Sequence, residues 1–250
     1  MTTAPGRTTI DPADVARFSA IAAEWWDPRG KFRPLHKFNP VRLGYIRDTL
    51  CRELGRDATA ERPLEGLRIL DVGCGGGLIA EPLARLGATV MGIDAAERNV
   101  KTAAAHALET NTPVEYRCVP AEALAAEGER FDVVLALEIV EHVADVELFL
   151  GAVADLAKPG GLVFMATLNR TAKSFAMAIV GAEYVLRWLP VGTHNWKQFL
   201  RPSELVGGLR RAGVTVQEVT GVAYNPITDR FKLAPKDLDV NYMLWGRKEG

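Results

Sequence analysis

The chain has 250 residues, 48% hydrophobic and 24% charged, the composition of a globular protein long enough to bury its own core. Lys and Arg number 30 and Asp and Glu 31, a formal charge of −1, so no overall basic excess draws it to nucleic acid. Cys51, Cys74 and Cys118 are scattered and odd in number, which excludes a disulfide framework or a zinc spacing and points to a reducing cytoplasm. No apolar run reaches the roughly 20 residues of a spanning helix, and residues 1–10 carry no apolar secretory core.

In chain order, residues 1–10 are rich in Thr, Pro and Gly and read as a disordered tail. Asp11-Pro12 is an N-cap followed by proline in the first helical position, and Val15, Phe18, Ala22 and Trp25 follow at helical spacing. Asn39-Pro40 signals a second helix start before Val41, Leu43, Ile46 and Leu50, and residues 55–66 read as a linker. Residues 11–66 are thus expected to form a helical cap on a domain spanning 67–250. There, β-rich runs at 67–72, 88–93, 114–119, 131–137 and 161–167 alternate with helical patterns near 77–86, 97–109, 120–127 and 145–157. A helix near 203–212 and strands near 214–223 and 240–247 close the chain. Such alternation predicts an α/β fold, a parallel sheet with helices on both faces.

The strongest motif is Asp71-Val72-Gly73-Cys74-Gly75-Gly76-Gly77, placed between a strand and a helix. It is either a tight turn or a loop that lets a ligand approach the backbone closely, and ligands of open α/β sheets bind beyond the carboxyl ends of the strands. The spacing fits a dinucleotide fingerprint only weakly, since Leu78 or Ala80 falls where the last glycine belongs. Asp71 would repel a pyrophosphate but suits a cationic ligand. Asp94, 21 residues after Gly73, ends the second strand, where an acid either accepts from ribose hydroxyls or caps the next helix.

The glycine loop, Gly92-Ile93-Asp94 and Lys158-Pro159-Gly160-Gly161 together resemble the class I S-adenosylmethionine-dependent methyltransferases. That resemblance implies a Rossmann-like sheet of seven strands, the last antiparallel. Blocks outside the cofactor motif are similar to the O-methyltransferases of ubiquinone biosynthesis: Glu24-Trp25-Trp26-Asp27, Pro34-Leu35-His36, residues 39–46, Thr167-Leu168-Asn169-Arg170, Gly181-Ala182-Glu183-Tyr184, Gly192-Thr193-His194 and Tyr224-Asn225-Pro226-Ile227-Thr228. The resemblance implies S-adenosylmethionine contacts at Arg42, Gly73, Asp94 and Leu137, with Asp71 and Gly75 beside them. It also implies two methylations on polyprenylated phenol or catechol intermediates, and a place in a ubiquinone-biosynthesis assembly.

Leu137-Glu138-Ile139-Val140-Glu141-His142-Val143 follows the fourth strand and so borders the same crevice. A phenol has a pKa near 10, so forming phenolate at pH 7 costs about 3 units, or roughly 4 kcal/mol. His142 is the candidate base. Glu138, Glu141 and His142 are also a candidate set for Mg2+, an arrangement associated with a magnesium site in relatives. The alternative is that His142 only shapes the pocket. No Asp/Asn-Pro-Pro-aromatic tetrad follows this strand, which argues against a nucleic-acid substrate.

Residues 170–202 form an insertion with five cations, Arg170, Lys173, Arg187, Lys197 and Arg201, against one acid, Glu183. Phe175, Met177, Ile179, Val180, Tyr184, Leu186, Trp188, Leu189, Trp196 and Phe199 supply bulky apolar groups. The segment fits either a membrane-surface anchor or a cap over the substrate pocket, and the expected location is the cytoplasmic face of a membrane. Two other functions compete with methyl transfer: an NAD-dependent dehydrogenase on the same sheet, and a non-catalytic module holding cofactor or lipid.

Overall fold

Short runs of aliphatic and β-branched residues become the strands of one eight-stranded sheet in the computed structural model, which describes residues 7–177 and 195–250. The strands are β1 (Arg68–Val72), β2 (Thr89–Asp94), β3 (Val114–Cys118), β4 (Phe131–Leu137), β5 (Ala157–Leu168), β6 (Val214–Asn225), β7 (Arg230–Leu233) and β8 (Asn241–Lys248). Their order is β3-β2-β1-β4-β5-β8-β6-β7. β1 to β5 are parallel, and β8 lies antiparallel between β5 and β6. The sequence predicts seven strands; the eighth, β7, is a four-residue edge strand paired only with β6. Its alternation Arg-Phe-Lys-Leu is too short to register as a strand pattern.

Successive strand residues point to opposite faces, and both faces are covered. Leu70, Val72, Val134 and Ala136 pack on one side with Leu124, Phe149, Val153 and Leu205, from α5 (Ala121–Ala126), α6 (Val146–Leu156) and α8 (Pro202–Arg211). Ile69, Val133, Leu135 and Phe164 pack on the other with Ile46, Leu50 and Leu83. These last come from α2 (Arg33–Glu53) and α3 (Ala80–Arg85). α4 (Glu97–Glu109) flanks β2 and β3. Burial on both faces is why the strands read as unbroken apolar runs.

α1 (Pro12–Ala20) starts as its sequence predicts: the Asp11 side chain accepts from Ala13 N, with proline at the first position. The second start differs. α2 begins at Arg33 and runs through Pro40. Asn39 does not cap a helix; its Oδ1 accepts from Nε and Nη2 of Arg42 in the interior.

Residues 7–10, assigned by composition to the disordered tail, lie instead across α5 and the start of α6. Arg7 pairs with Asp145 at 2.6 Å, and the N–H and hydroxyl of Thr9 donate to Glu122 at 2.9 and 2.7 Å. Polar side chains with fixed partners order a segment that hydrophobicity alone leaves free.

The insertion starts with a single turn, α7 (Ala172–Ser174), capped by Thr171. Ile179, Val180, Tyr184, Leu186, Arg187, Trp188 and Leu189, and the blocks 181–184 and 192–194, lie outside the described residues. Phe175 and Met177 are exposed and Phe199 is buried.

Candidate active site

The parallel strands end in two adjoining clefts. The first, about 770 Å³ counting its open mouth, is lined by Gly73, Gly75, Asp94, Asn99, Glu138 and His142 from the sheet side and by Thr9, Asp14, Phe18 and Trp25 from the N-terminal segment. The second, about 790 Å³ on the same basis, is lined by Arg42, Asp71, Cys74, Leu137, Glu138, Glu141 and His142. Phe18, Trp25, Gly73, Glu138 and His142 border both. All the site residues expected from sequence are thus brought to one crevice.

Asp94 does not cap α4, which begins at Glu97 with Ala96 as its uncapped N-cap. One carboxylate oxygen accepts from Gly75 N at 3.0 Å, and the other from Ala96 N at 2.7 Å and Asn99 Nδ2 at 3.2 Å. The acid after β2 therefore fixes the glycine loop after β1. Burial nevertheless pushes the Asp94 carboxyl above its usual range, against those three hydrogen bonds.

The loop needs glycine partly because of the protein's own tryptophan. Gly75 has φ +54, and a Cβ on Gly75 or Gly76 would come within 2.4 Å of the Trp25 ring. Trp25 donates from Nε1 to Asn99 Oδ1 at 2.9 Å and stacks on Phe32 at 3.6 Å. Trp26 donates to Gly76 O at 2.8 Å and stacks on His106 at 3.4 Å. Trp25, Asn99, Asp94 and Gly75 thus form one hydrogen-bonded chain from the N-terminal segment into the loop.

Asp71 and Arg42 are both buried, each 3% exposed. Burial pushes the Asp71 carboxyl up to about 7, opposed by Arg42 and reinforced by Asp94. Burial draws the Arg42 guanidinium down, opposed by Glu138, Asp71 and Glu141. Arg42 lies over the Phe38 ring at 4.6 Å, and its Nη1 is 4.0 Å from Glu138 Oε1.

Glu138 takes φ +55, an uncommon backbone for a residue with a side chain. Its backbone N–H donates to Ala166 O at 2.8 Å. Burial, aided by Glu141, raises its carboxyl to about 7 against Arg42 and His142. Glu141 accepts from Thr167 Oγ1 at 2.9 Å. One oxygen of each carboxylate, Glu138 Oε1 and Glu141 Oε1, is buried without a hydrogen-bond partner. The third member of the expected cation set, His142, has its Nδ1 bound to Asp14 Oδ2 at 2.9 Å. Among the described residues, no three His, Cys, Asp or Glu side chains are placed to hold a metal ion.

At His142, burial disfavours the imidazolium, but the Asp14 hydrogen bond and the Glu141, Asp14 and Glu138 charges outweigh it, so the pKa is raised. Sequence reasoning missed Asp14, Asn99 and the role of Trp25. Asp14 reads as an ordinary acid in the first turn of an amphipathic helix, and Trp25 as a core residue at helical spacing.

A parallel sheet with an antiparallel last strand inserted between β5 and β6, and a glycine bend held by an acid at the end of β2, defines the class of Rossmann-like methyltransferases. A family model for a methyltransferase domain matches residues 70–165. Ubiquinone biosynthesis O-methyltransferase of Chelativorans sp. is 58% identical over 242 residues, 97% of this chain and 95% of its own length. The protein of the same name from Parvibaculum lavamentivorans is 59% identical over 237 residues, 95% of this chain and 93% of its own. The crystal structure of magnesium protoporphyrin IX methyltransferase from Synechocystis PCC 6803 with bound S-adenosylmethionine shares the fold, with a TM-score of 0.62 at 17% identity over 99% of this chain and 100% of that one. The chain belongs to the ubiquinone biosynthesis O-methyltransferase family. Membership sets aside the dehydrogenase and non-catalytic alternatives.

Proposed function

We propose that the chain transfers the methyl group of S-adenosylmethionine to a hydroxyl of a polyprenylated phenol or catechol on the route to ubiquinone. The observation that carries this reading is the meeting of Gly73, Asp94 and His142 on the wall of one cleft. In the first cleft, Asp94 accepts from the ribose hydroxyls and the backbone of Gly73 and Gly75 lets the cofactor lie close. In the second, Arg42 pairs with the methionine carboxylate, Asp71 faces the cationic end, and Leu137 packs against the cofactor.

Methyl transfer is an in-line displacement. The phenol oxygen forms a bond to the methyl carbon as the carbon–sulfur bond breaks, and the sulfur leaves neutral. Its barrier lies in exposing the oxygen's electron pair, since a bound phenol holds its proton at pH 7. His142, oriented through Nδ1 by Asp14, takes that proton as the oxygen attacks. Trp25 and Phe18 wall the site and keep bulk water from competing for the donor.

A second activation has one observation in its favour. Glu138 Oε1 and Glu141 Oε1 are buried without a hydrogen-bond partner, and a divalent cation such as Mg2+ would satisfy both, with substrate oxygens and water completing its shell. Bound there, the cation would lower the pKa of a catechol oxygen.

No helix among the described residues is long and apolar enough to cross a membrane. A prenyl tail nevertheless favours lipid by about 0.8 kcal/mol per methylene, so the enzyme works at the membrane surface on the cytoplasmic side, with exposed Phe175 and Met177 on the insertion as contacts.

Incubation with labelled S-adenosylmethionine and a short-tailed catechol, with and without a chelator, tests the reading. Labelled methyl ether is the expected product. Its absence in protein that binds the cofactor removes the proposal. Loss on chelation with recovery on adding Mg2+ supports the cation, and unchanged turnover removes it.

A further inference from the structure

The turn between β6 and β7 holds a large apolar side chain out in solvent: Ile227 is 94% exposed. Hydrogen bonds fix that turn. Asn225 Oδ1 accepts from the backbone N–H of Ile227 at 2.9 Å and of Thr228 at 3.3 Å, an Asx turn. Asp229, the one acid between residues 225 and 233, accepts from Lys37, Tyr224 and Arg33. The Lys37 and Tyr224 hydrogen bonds hold its carboxyl down to about 2, so its charge is neutralised on the side toward α2.

The outer side of the hairpin is basic. Phe231 turns inward and stacks on Phe38 at 4.9 Å, which leaves Arg230 and Lys232 on the opposite side of β7, both exposed. With Asn225, Thr228 and Phe231 they line an open recess of about 770 Å³ counting its mouth.

Topology sets the direction of this surface. β5 and β6 are each antiparallel to β8, so β6 runs the same way as the parallel strands and its turn leaves the sheet at the cleft end. Leu168 and Val222 are both level with Asn241. Asn225 therefore stands three residues, about 10 Å, past the end of β5. Cations on an edge strand also discourage pairing with other chains, but that role gives no reason for an isoleucine fixed at the tip.

We propose that this hairpin is a lipid-surface anchor: Ile227 enters the headgroup–acyl boundary, and Arg230 and Lys232 hold an anionic phospholipid headgroup in the recess. The proposal rests on the reading that the substrate is held in the membrane. Anchoring here turns the cleft end of the sheet toward the bilayer, so a prenylated substrate enters without crossing water.

Co-sedimentation of the full chain with phosphatidylcholine vesicles, with and without phosphatidylglycerol, tests this. The parent is expected to bind the anionic vesicles preferentially. Ile227→Asp should weaken binding about tenfold. Arg230→Glu with Lys232→Glu should weaken it at least about 20-fold and erase the preference, at about fivefold for each charge lost. Both variants should methylate a short-tailed catechol in solution at the parental rate, while transfer to a long-tailed substrate in vesicles falls. Either variant binding within about twofold of the parent, or a parent that ignores anionic vesicles, overturns the proposal. Ile227→Ser carries the apolar arm if the aspartate variant loses solution activity. A parent inactive even on the short-tailed catechol means that the proposed function fails, and vesicle binding still decides the anchor.

Discussion

Nδ1 of His142 lies 2.9 Å from Oδ2 of Asp14, 128 residues earlier in the chain. Arg17 in turn holds Asp14 at 2.7 Å, and the Phe18 ring meets the imidazole edge-on at 5.2 Å. The N-terminal helix thus supplies the group that sets the tautomer and direction of the candidate base.

His142→Ala is expected to lower kcat by about 10²–10⁴-fold while the cofactor Kd stays put. Asp14→Asn should lower kcat more than it raises KM and move the acidic limb of the rate profile to lower pH. The sign follows from the balance at His142, where Asp14 opposes the effect of burial. Without that charge burial is less opposed, the imidazolium gives up its proton at lower pH, and the neutral base persists further into acid. A kcat/KM profile against pH reads the shift; an unmoved limb contradicts the dyad.

Asp94 ties Gly75 N, Ala96 N and Asn99 together and is proposed to take the ribose hydroxyls. Asp94→Ala removes both functions and should weaken S-adenosylmethionine binding at least about 10–100-fold, the worth of one or two charge-assisted hydrogen bonds. Equilibrium dialysis checks this. An unchanged Kd would place the ribose elsewhere.

Cofactor binding should release a proton. The Asp71 carboxyl sits at about 7 against an ordinary 3.8, chiefly through burial. Between those values the folded state keeps a proton that the unfolded chain has lost, so this group's contribution to stability falls as pH rises through that window. A cationic ligand beside Asp71 favours the carboxylate, so affinity should rise with pH toward 7. Calorimetry near neutral pH in two buffers of different ionisation enthalpy should give different apparent heats. Identical heats would mean that Asp71 does not meet the cation.

The Trp25 ring fills the space that side chains on Gly75 and Gly76 would need. Trp25→Ala should cost about 3–5 kcal/mol of stability and loosen the cofactor loop. Gly76→Val should disturb both in the same direction, because Trp25 must move to admit it. Urea unfolding with parallel cofactor titration measures the two effects. A Gly76→Val variant as stable as the parent would contradict this packing.

Local rules made much of this molecule readable. The Asp11-Pro12 cap, the alternation after Leu67 and the glycine loop all act through neighbours in sequence. So Asp71, Gly73, Gly75, Asp94 and the Glu138–His142 run could be referred to one crevice before any coordinates. Asp14–His142, Trp25–Asn99 and Thr9–Glu122 could not, because each joins segments that only the folded chain brings together. Asn39-Pro40 misled for a related reason. Its local signal is a helix start, but α2, buried along Phe38, Asn39 and Arg42, runs from Arg33 on through Pro40, and the Asn39 side chain turns to Arg42 in the same helix instead of capping a new one. β7 escaped because an edge strand with one partner needs only a short, half-polar pattern.

Calorimetric titration of the intact folded protein with S-adenosylmethionine tests the central claim most directly, that the glycine loop and Asp94 hold this methyl donor beside His142. The account predicts a single saturable site that is weakened by Asp94→Ala and retained in His142→Ala. Heats that never saturate in the parent, or a site indifferent to Asp94, would contradict it.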